Sequence, residues 1–294
     1  MRVVRLALDR QVPSSGHFLA IFKRRNPREK PCRVLVCSCC SRRPLPPTAL
    51  RSHWLCCSRA AAQPCNASHA RRRRHGRSDD YIRVRQLPLG KSSRLTFPDL
   101  ENFRLVRVPD YRRVMQHPAS IFFQRGIADV GRRDWCSLSA EPNAGSSFVA
   151  CAFEVVFAGE QRAAYELREE EFDVVAAPYM TLDGAPAGEG LLCAQWTDEA
   201  YRAKYGDAVF EERYGTYGVD RIWGWERDCG STPCPVYLRH CVLAAEKGGP
   251  VAHDSFLDET WLVDRETTVR AFLAKHPEVM ATRPPPALEG RYSG

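Results

Sequence analysis

The stretch "YELREEEFDVV", Tyr165–Val175, decides how this chain is read: good helix formers give way within a few residues to a β-branched run, with four glutamates and an aspartate at the junction. On a helix, Glu166 and Glu170 lie four apart and Glu169 three from Glu166, so like charges repel by a few tenths of a kcal/mol. Acidic residues at a helix C-terminus also oppose its dipole. The plain reading is a solvated helix end. The other is a carboxylate half desolvated by Phe172 and the Val-rich run, with the raised proton affinity a general base needs.

Outward from that junction, the pattern is α+β. The runs "FRLVRV", "YRRVMQ", "FVACAFEVVF" and "LLCAQW" are rich in Val, Phe, Tyr and Leu, several alternate with period two, and all are bounded by turn residues, so they predict strands. "TLDGAPAGEG", Thr181–Gly190, predicts a hairpin between strands at Val174–Met180 and Leu191–Trp196. Helices are predicted over Gly159–Glu171, Thr197–Tyr214, "PVYLRHCVLAAEKGG" and Asp264–Lys275, the last with Asp264 as N-cap. Strands precede helices, which argues against a regular βαβ wind.

Charge divides the chain. Residues 1–90 hold 20 Lys+Arg against 4 Asp+Glu, and 91–294 hold 23 against 31, so the net charge of +8 describes neither part. Seven of the thirteen cysteines fall in the first 65 residues. Residues 1–90 read as a disordered basic leader, for which a transit peptide, a nucleic-acid patch at Arg71–Arg77, a metal knot and a misjoined N-terminus compete. Residues 91–294 form the globular domain. No run of about 18 apolar residues crosses a membrane. Nucleic-acid binding is expected nowhere except through residues 71–85, and location is open between chloroplast and cytoplasm.

Other chemistry lacks its markers: there is no G-x-S-x-G elbow, Walker loop or G-x-G-x-x-G. Cys229, Cys234, His240 and Cys241 could ligate zinc, but neighbouring helix side chains diverge by about 100°, which fits a tetrahedral site poorly. The later cysteines read as buried small hydrophobes in a reducing compartment.

The order of "LENFRLVRV", "RGIADV" (Arg125–Val130), "FVACAFEVV", an acidic helix end and a hairpin resembles the gamma-glutamylcyclotransferase-like superfamily. Ser92–Pro98, His117–Phe123, Tyr214–Trp223, Tyr237–Ala245 and Asp264–Leu273 resemble motifs of a plant and algal branch related to the ChaC type. The resemblance covers most of 92–294 and none of 1–90. It implies a small mixed, partly open β-barrel with flanking helices. It implies an intramolecular aminolysis that releases 5-oxoproline from a small γ-glutamyl compound, with no metal or cofactor. It implies Glu169, of the Arg168-Glu169 pair, as acid/base, with Glu171 as the alternative and Glu166, Glu170 and Asp173 as solvated or supporting charges. Substrate contacts are implied at Gly90, Ser92, Gly126, Ile127 and Phe172. The superfamily's opening strand and "YGSL"-type loop are replaced by "PLGKSS", Pro88–Ser93, so the chain is expected to lack a strand and to be impaired. A non-catalytic binding or scaffold domain on the same fold is the alternative.

Overall fold

The structure, a computed structural model, describes residues 97–157 and 161–294 together with the backbone of 32–34 and 82–85. Strands β1 (Cys32–Val34), β2 (Ile82–Arg85), β3 (Glu101–Pro118), β4 (Cys136–Val155), β5 (Asp173–Met180), β6 (Pro186–Ala194) and β7 (Thr260–Leu262) join one mixed sheet in the order β1-β4-β2-β6-β5-β3-β7. The architecture is α+β, as the sequence predicts.

"FRLVRV" and "YRRVMQ" are one strand. Pro109-Asp110 between them forms a bulge in the antiparallel ladder with β4, and Asp110 adopts a φ of 59° there. Pro lacks the N–H that a regular ladder requires, and a bulge absorbs that loss while bending the strand. The bend lets β3 pair with β4 along most of its length and with β5 at Arg107–Met180. β5 and β6 form the expected hairpin, but its turn is confined to Thr181–Ala185, with Gly184 at φ 90°, so half of the turn-rich stretch is strand. β6 also touches β4, parallel, at Ala140–Ala194. β2 lies antiparallel to β4 and parallel to β6. This corrects the expectation that a strand is missing ahead of Pro88: "IRVR" alternates with period two, a signal hidden by the Arg-rich composition around it. The remainder of residues 1–90 lies outside the described residues.

The first helix, α1 (Ser120–Gln124), follows β3 directly, and α2 (Gln161–Arg168) leads into the junction before β5. The predicted helix over Thr197–Tyr214 is two, α3 (Asp198–Tyr205) and α4 (Asp207–Arg213), because Gly206 between them sits at φ 88°. α5 (Pro235–Lys247) starts at Pro and stops at Gly248 as read from sequence. After α6 (Pro250–Asp258) and β7 comes α7 (Val269–Lys275), whose N-cap is Thr268, accepting from Ala271 N. Asp264 instead closes the preceding turn, accepting from the Glu266 and Thr267 amides at 2.9 Å. Two short helices, α8 (Glu278–Ala281) and α9 (Glu289–Tyr292), end the chain.

The core is a continuous cluster that includes Phe122, Phe148, Phe153, Tyr179, Tyr201, Tyr214 and Phe256. Each buried ring contributes about 1.5–3 kcal/mol. Arg113 is wholly buried within it, its guanidinium between the Phe148 and Phe256 rings. It donates to Thr260 Oγ1 at 2.7 Å, Val149 O at 3.0 Å and Ser255 O at 2.8 Å, tying α6 and β7 to the sheet. Of the six cysteines among the described residues five are buried, as expected of small core residues. Among the described residues no helix is long and apolar enough to cross a membrane.

Candidate functional site

α2 ends at Arg168, and Glu169 N still donates to Tyr165 O at 3.0 Å; Phe172 N then donates to Glu169 O at 2.9 Å, closing a turn before β5. That turn splays three successive glutamates into different surroundings. Glu169, Glu170 and Glu171 are only 1%, 4% and 2% exposed, whereas Glu166 and Asp173 face solvent. The solvated-face reading therefore fails for Glu170 as well as for the two candidate bases. Its physical correction is a partner from far along the chain: Glu170 is ion-paired with Arg213 at the end of α4. Burial would push the Arg213 pKa down, but the hydrogen bond and charge of Glu170 raise it overall.

Glu171 is the centre of a polar cluster. Its Oε1 accepts from the Tyr214 hydroxyl at 2.5 Å and the Ser120 amide at 3.2 Å, and its Oε2 lies 3.4 Å from His117 Nε2. His117 Nδ1 shares a hydrogen bond with Ser137 Oγ at 2.8 Å. Burial acts to raise the Glu171 pKa, yet the His117 charge and the hydrogen bonds from Ser120 and Tyr214 outweigh it and hold the carboxyl below the ordinary value. Phe172 and Trp223 enclose the pair: His117 lies 4.7 Å from the first ring and stacks on the second at 4.9 Å. The Trp223 indole N–H donates to Glu171 O at 3.0 Å. Asp198, the first residue of α3, fixes that loop by accepting from the Ile222 and Trp223 amides at 3.0 and 2.9 Å.

Glu169 Oε1 lies 3.4 Å from Arg168 Nε, both side chains buried. Phe172 is thus brought to the junction with Glu169 and Glu171. Ile127 is buried at the other end of α1 from Ser120, its carbonyl accepting from the Cys234 thiol at 3.2 Å, and Gly126 beside it is exposed with φ 62°. Gly90 and Ser92 lie outside the described residues. Cys234 thus faces Ile127, while His240 Nδ1 accepts from Gly294 N at 2.9 Å. Among the described residues no cluster of His, Cys, Asp or Glu is placed to hold a metal ion.

Sequence reasoning missed His117, Ser137 and Tyr214. His117 and Tyr214 were in view, since each opens a motif that carried the resemblance, but nothing local gave them a role. A second buried network was also missed. Gln116 Nε2 donates to Ser139 Oγ, Glu141 Oε2 and Gln195 Oε1 at 3.0, 3.1 and 2.9 Å, while Arg265 and Arg112 bind Glu141. Burial opposes ionisation of Glu141, but the two guanidinium groups hold its pKa below the ordinary value. Gln195 reaches a cleft of about 530 Å³ whose wall includes Trp196, Asp198, Arg202 and Trp223. Trp223 therefore separates the cleft from the Glu171–His117 pair.

No family model matches the chain, and no curated protein matches it. Two solved structures align at 8% identity and a TM-score of 0.30. One is a gamma-glutamyl cyclotransferase, over 45% of this chain and 84% of that one; the other is an uncharacterized protein from Homo sapiens, over 50% and 90%. Neither singles out the plant and algal branch, and a likeness at this level carries no argument about chemistry.

Proposed function

We propose that the junction after α2 is the acid/base site of a gamma-glutamylcyclotransferase-like enzyme, with Glu169 as the proton carrier. The observation that carries the reading is the buried Glu169 carboxylate at a helix–strand turn, beside a Glu171 already committed to Tyr214, Ser120 and His117. A carboxylate held ionised by three partners is a weak proton acceptor, so Glu171 and His117 position the turn and Glu169 moves the proton. In the reaction, Glu169 takes a proton from the α-ammonium of a γ-glutamyl group. The freed nitrogen attacks the γ-carbonyl carbon, closing a five-membered lactam. The bond to the leaving nitrogen breaks as Glu169 returns the proton to it, and the second proton on the attacking nitrogen passes by way of Glu169 to the departing amino group, giving 5-oxoproline and a protonated amine or peptide.

The pairing cycle β3–β4–β6–β5–β3 supports reading the sheet as a partly open barrel. The order of β2 followed in sequence by Pro88–Ser93 supports Gly90 and Ser92 as a substitute for the superfamily's loop, with Gly126, Ile127 and Phe172 as further substrate contacts. No step of this chemistry needs a metal or cofactor. One observation favours the second reading, a binding or scaffold domain without catalysis: neither Glu169 nor Glu171 lines the cleft of about 530 Å³ beside Trp223.

The test is 5-oxoproline release from a panel of γ-glutamyl amines, γ-glutamyl amino acids and glutathione. Activity that falls by about 10²–10⁴-fold in Glu169→Gln, with an unchanged circular dichroism spectrum, supports the assignment. Equal release from parent and variant transfers the role to Glu171, tested by Glu171→Gln. Absence of release from the folded parent leaves the binding domain.

A further inference from the structure

The cleft of about 530 Å³ beside Trp223 is formed by the residues after β6, the start of α3 and the loop 220–224. Gln195, the first residue after β6, lines it and is partly exposed there. Its backbone is fixed, because Gln195 N donates to Ala140 O at 2.7 Å. Which end of its carboxamide meets the cleft is set by charge, one link at a time. Arg265 has no acceptor to offer, so its Nη2, 2.5 Å from Gln116, meets the Gln116 oxygen. The Gln116 NH2 group is left facing Ser139 Oγ, Glu141 Oε2 and Gln195 Oε1. Turning that amide over would set its oxygen against the Glu141 carboxylate and its NH2 group against a guanidinium.

The group of Gln195 that meets the Gln116 donor must be its oxygen, so its Nε2 is turned away from the network. Gln195 Nε2 has no acceptor among the described residues. The Trp223 indole N–H, by contrast, is spent on Glu171 O at 3.0 Å. The two cations on the wall are already paired. Arg202 binds Asp207 at 2.7 Å with its guanidinium over the Phe210 ring, and Arg221 lies 3.8 Å from Asp220. Asp198, Glu199 and Asp220 also line the cleft, so acids outnumber bases and an anion is repelled. An oriented, accessible donor on an acidic wall selects an uncharged acceptor.

We propose that this cleft binds an uncharged amide with a flat apolar body, its carbonyl oxygen accepting from Gln195 Nε2 and its body lying against Trp196. Gln116 and Arg265 are positioning residues: they never touch the ligand, and they fix which end of Gln195 it meets. The site does not depend on any reaction at the glutamates after α2.

N,N-dimethylbenzamide, its thioamide and benzoate can be titrated into the full chain, following the side-chain amide resonances of Gln195 by NMR. The amide carries a strong acceptor and no donor; the thioamide keeps its shape and charge, but sulfur accepts poorly. The amide is expected to move the Gln195 signals and to bind about threefold to tenfold more tightly than the thioamide, the effect of one hydrogen bond, with benzoate weaker still. Gln195→Met keeps the length of the side chain and leaves Gln116 Nε2 with Ser139 and Glu141 as acceptors, so the network survives. In that variant the amide should bind no better than the thioamide. The proposal is overturned if the Gln195 signals stay unmoved at about 10 mM amide, if the thioamide or benzoate binds as tightly as the amide, or if Gln195→Met keeps the preference. The first two results need only the parent chain, so they decide the matter even where the variant does not fold.

Discussion

Tyr214→Phe removes a single oxygen from the site, the hydroxyl that donates to Glu171 Oε1 at 2.5 Å. Both partners are buried, so water does not replace the lost donor. Deleting a hydrogen bond to a buried charge costs about 1.5–3 kcal/mol. For a domain of this size about 2–4 °C follow per kcal/mol, so the thermal midpoint at pH 7 should fall by about 3–12 °C. The pH dependence separates this cause from simple packing. The folded-state pKa of Glu171 is depressed, so its stabilisation is complete above the unfolded value of 4.5 and disappears as pH falls through the lower folded value. Without the Tyr214 donor the folded pKa moves up, and the acid limb of the stability curve begins at higher pH. The cost of the substitution is therefore largest near neutrality and shrinks once Glu171 is protonated in both proteins. Urea denaturation of parent and variant from about pH 7 down to about pH 3 measures it. A cost below about 0.5 kcal/mol, or one that stays constant through that range, would refute the claim that Tyr214 holds Glu171 ionised.

Two further outcomes follow from the same burial. Arg213→Ala removes the ion-pair partner of the buried Glu170 and should cost about 3–5 kcal/mol in urea denaturation, with Glu170→Gln in the same chain restoring part of it. Burial pushes the Cys136 thiol pKa well up and that of Cys234 up to about 12, so neither should react with iodoacetamide at about pH 8 in the native protein. Partly exposed Cys229 should be modified before either, as read by peptide mass spectrometry.

Local chemistry made much of the fold legible. The period-two runs placed the second half of β4 together with β5 and β6, but not the first half of β4, and the Pro start and Gly stop of α5 bounded it closely. Errors arose where one residue's backbone overrode a longer pattern. Gly206 split a periodic helix, the bulge at Asp110 joined two apparent strands, and Thr268 rather than Asp264 capped α7. The strand Ile82–Arg85 escaped because the composition of its surroundings outweighed a four-residue alternation.

The candidate site divides along the same line. The sequence by itself determined that helix formers meet a β-branched run at Glu169–Phe172 and that several carboxylates stand there, because propensity and charge are properties of neighbours in the chain. It could count the charges but not their partners. Arg213, Tyr214, Trp223 and His117 lie between 43 and 54 residues from their contacts at Glu170 and Glu171. Only the packing of β3, α1 and the loop after α4 around the α2–β5 turn converted an unfavourable acidic run into three buried and differently partnered carboxylates. A solvated charge and a buried ion pair look alike in one dimension, because the desolvation that distinguishes them is a property of the folded surroundings.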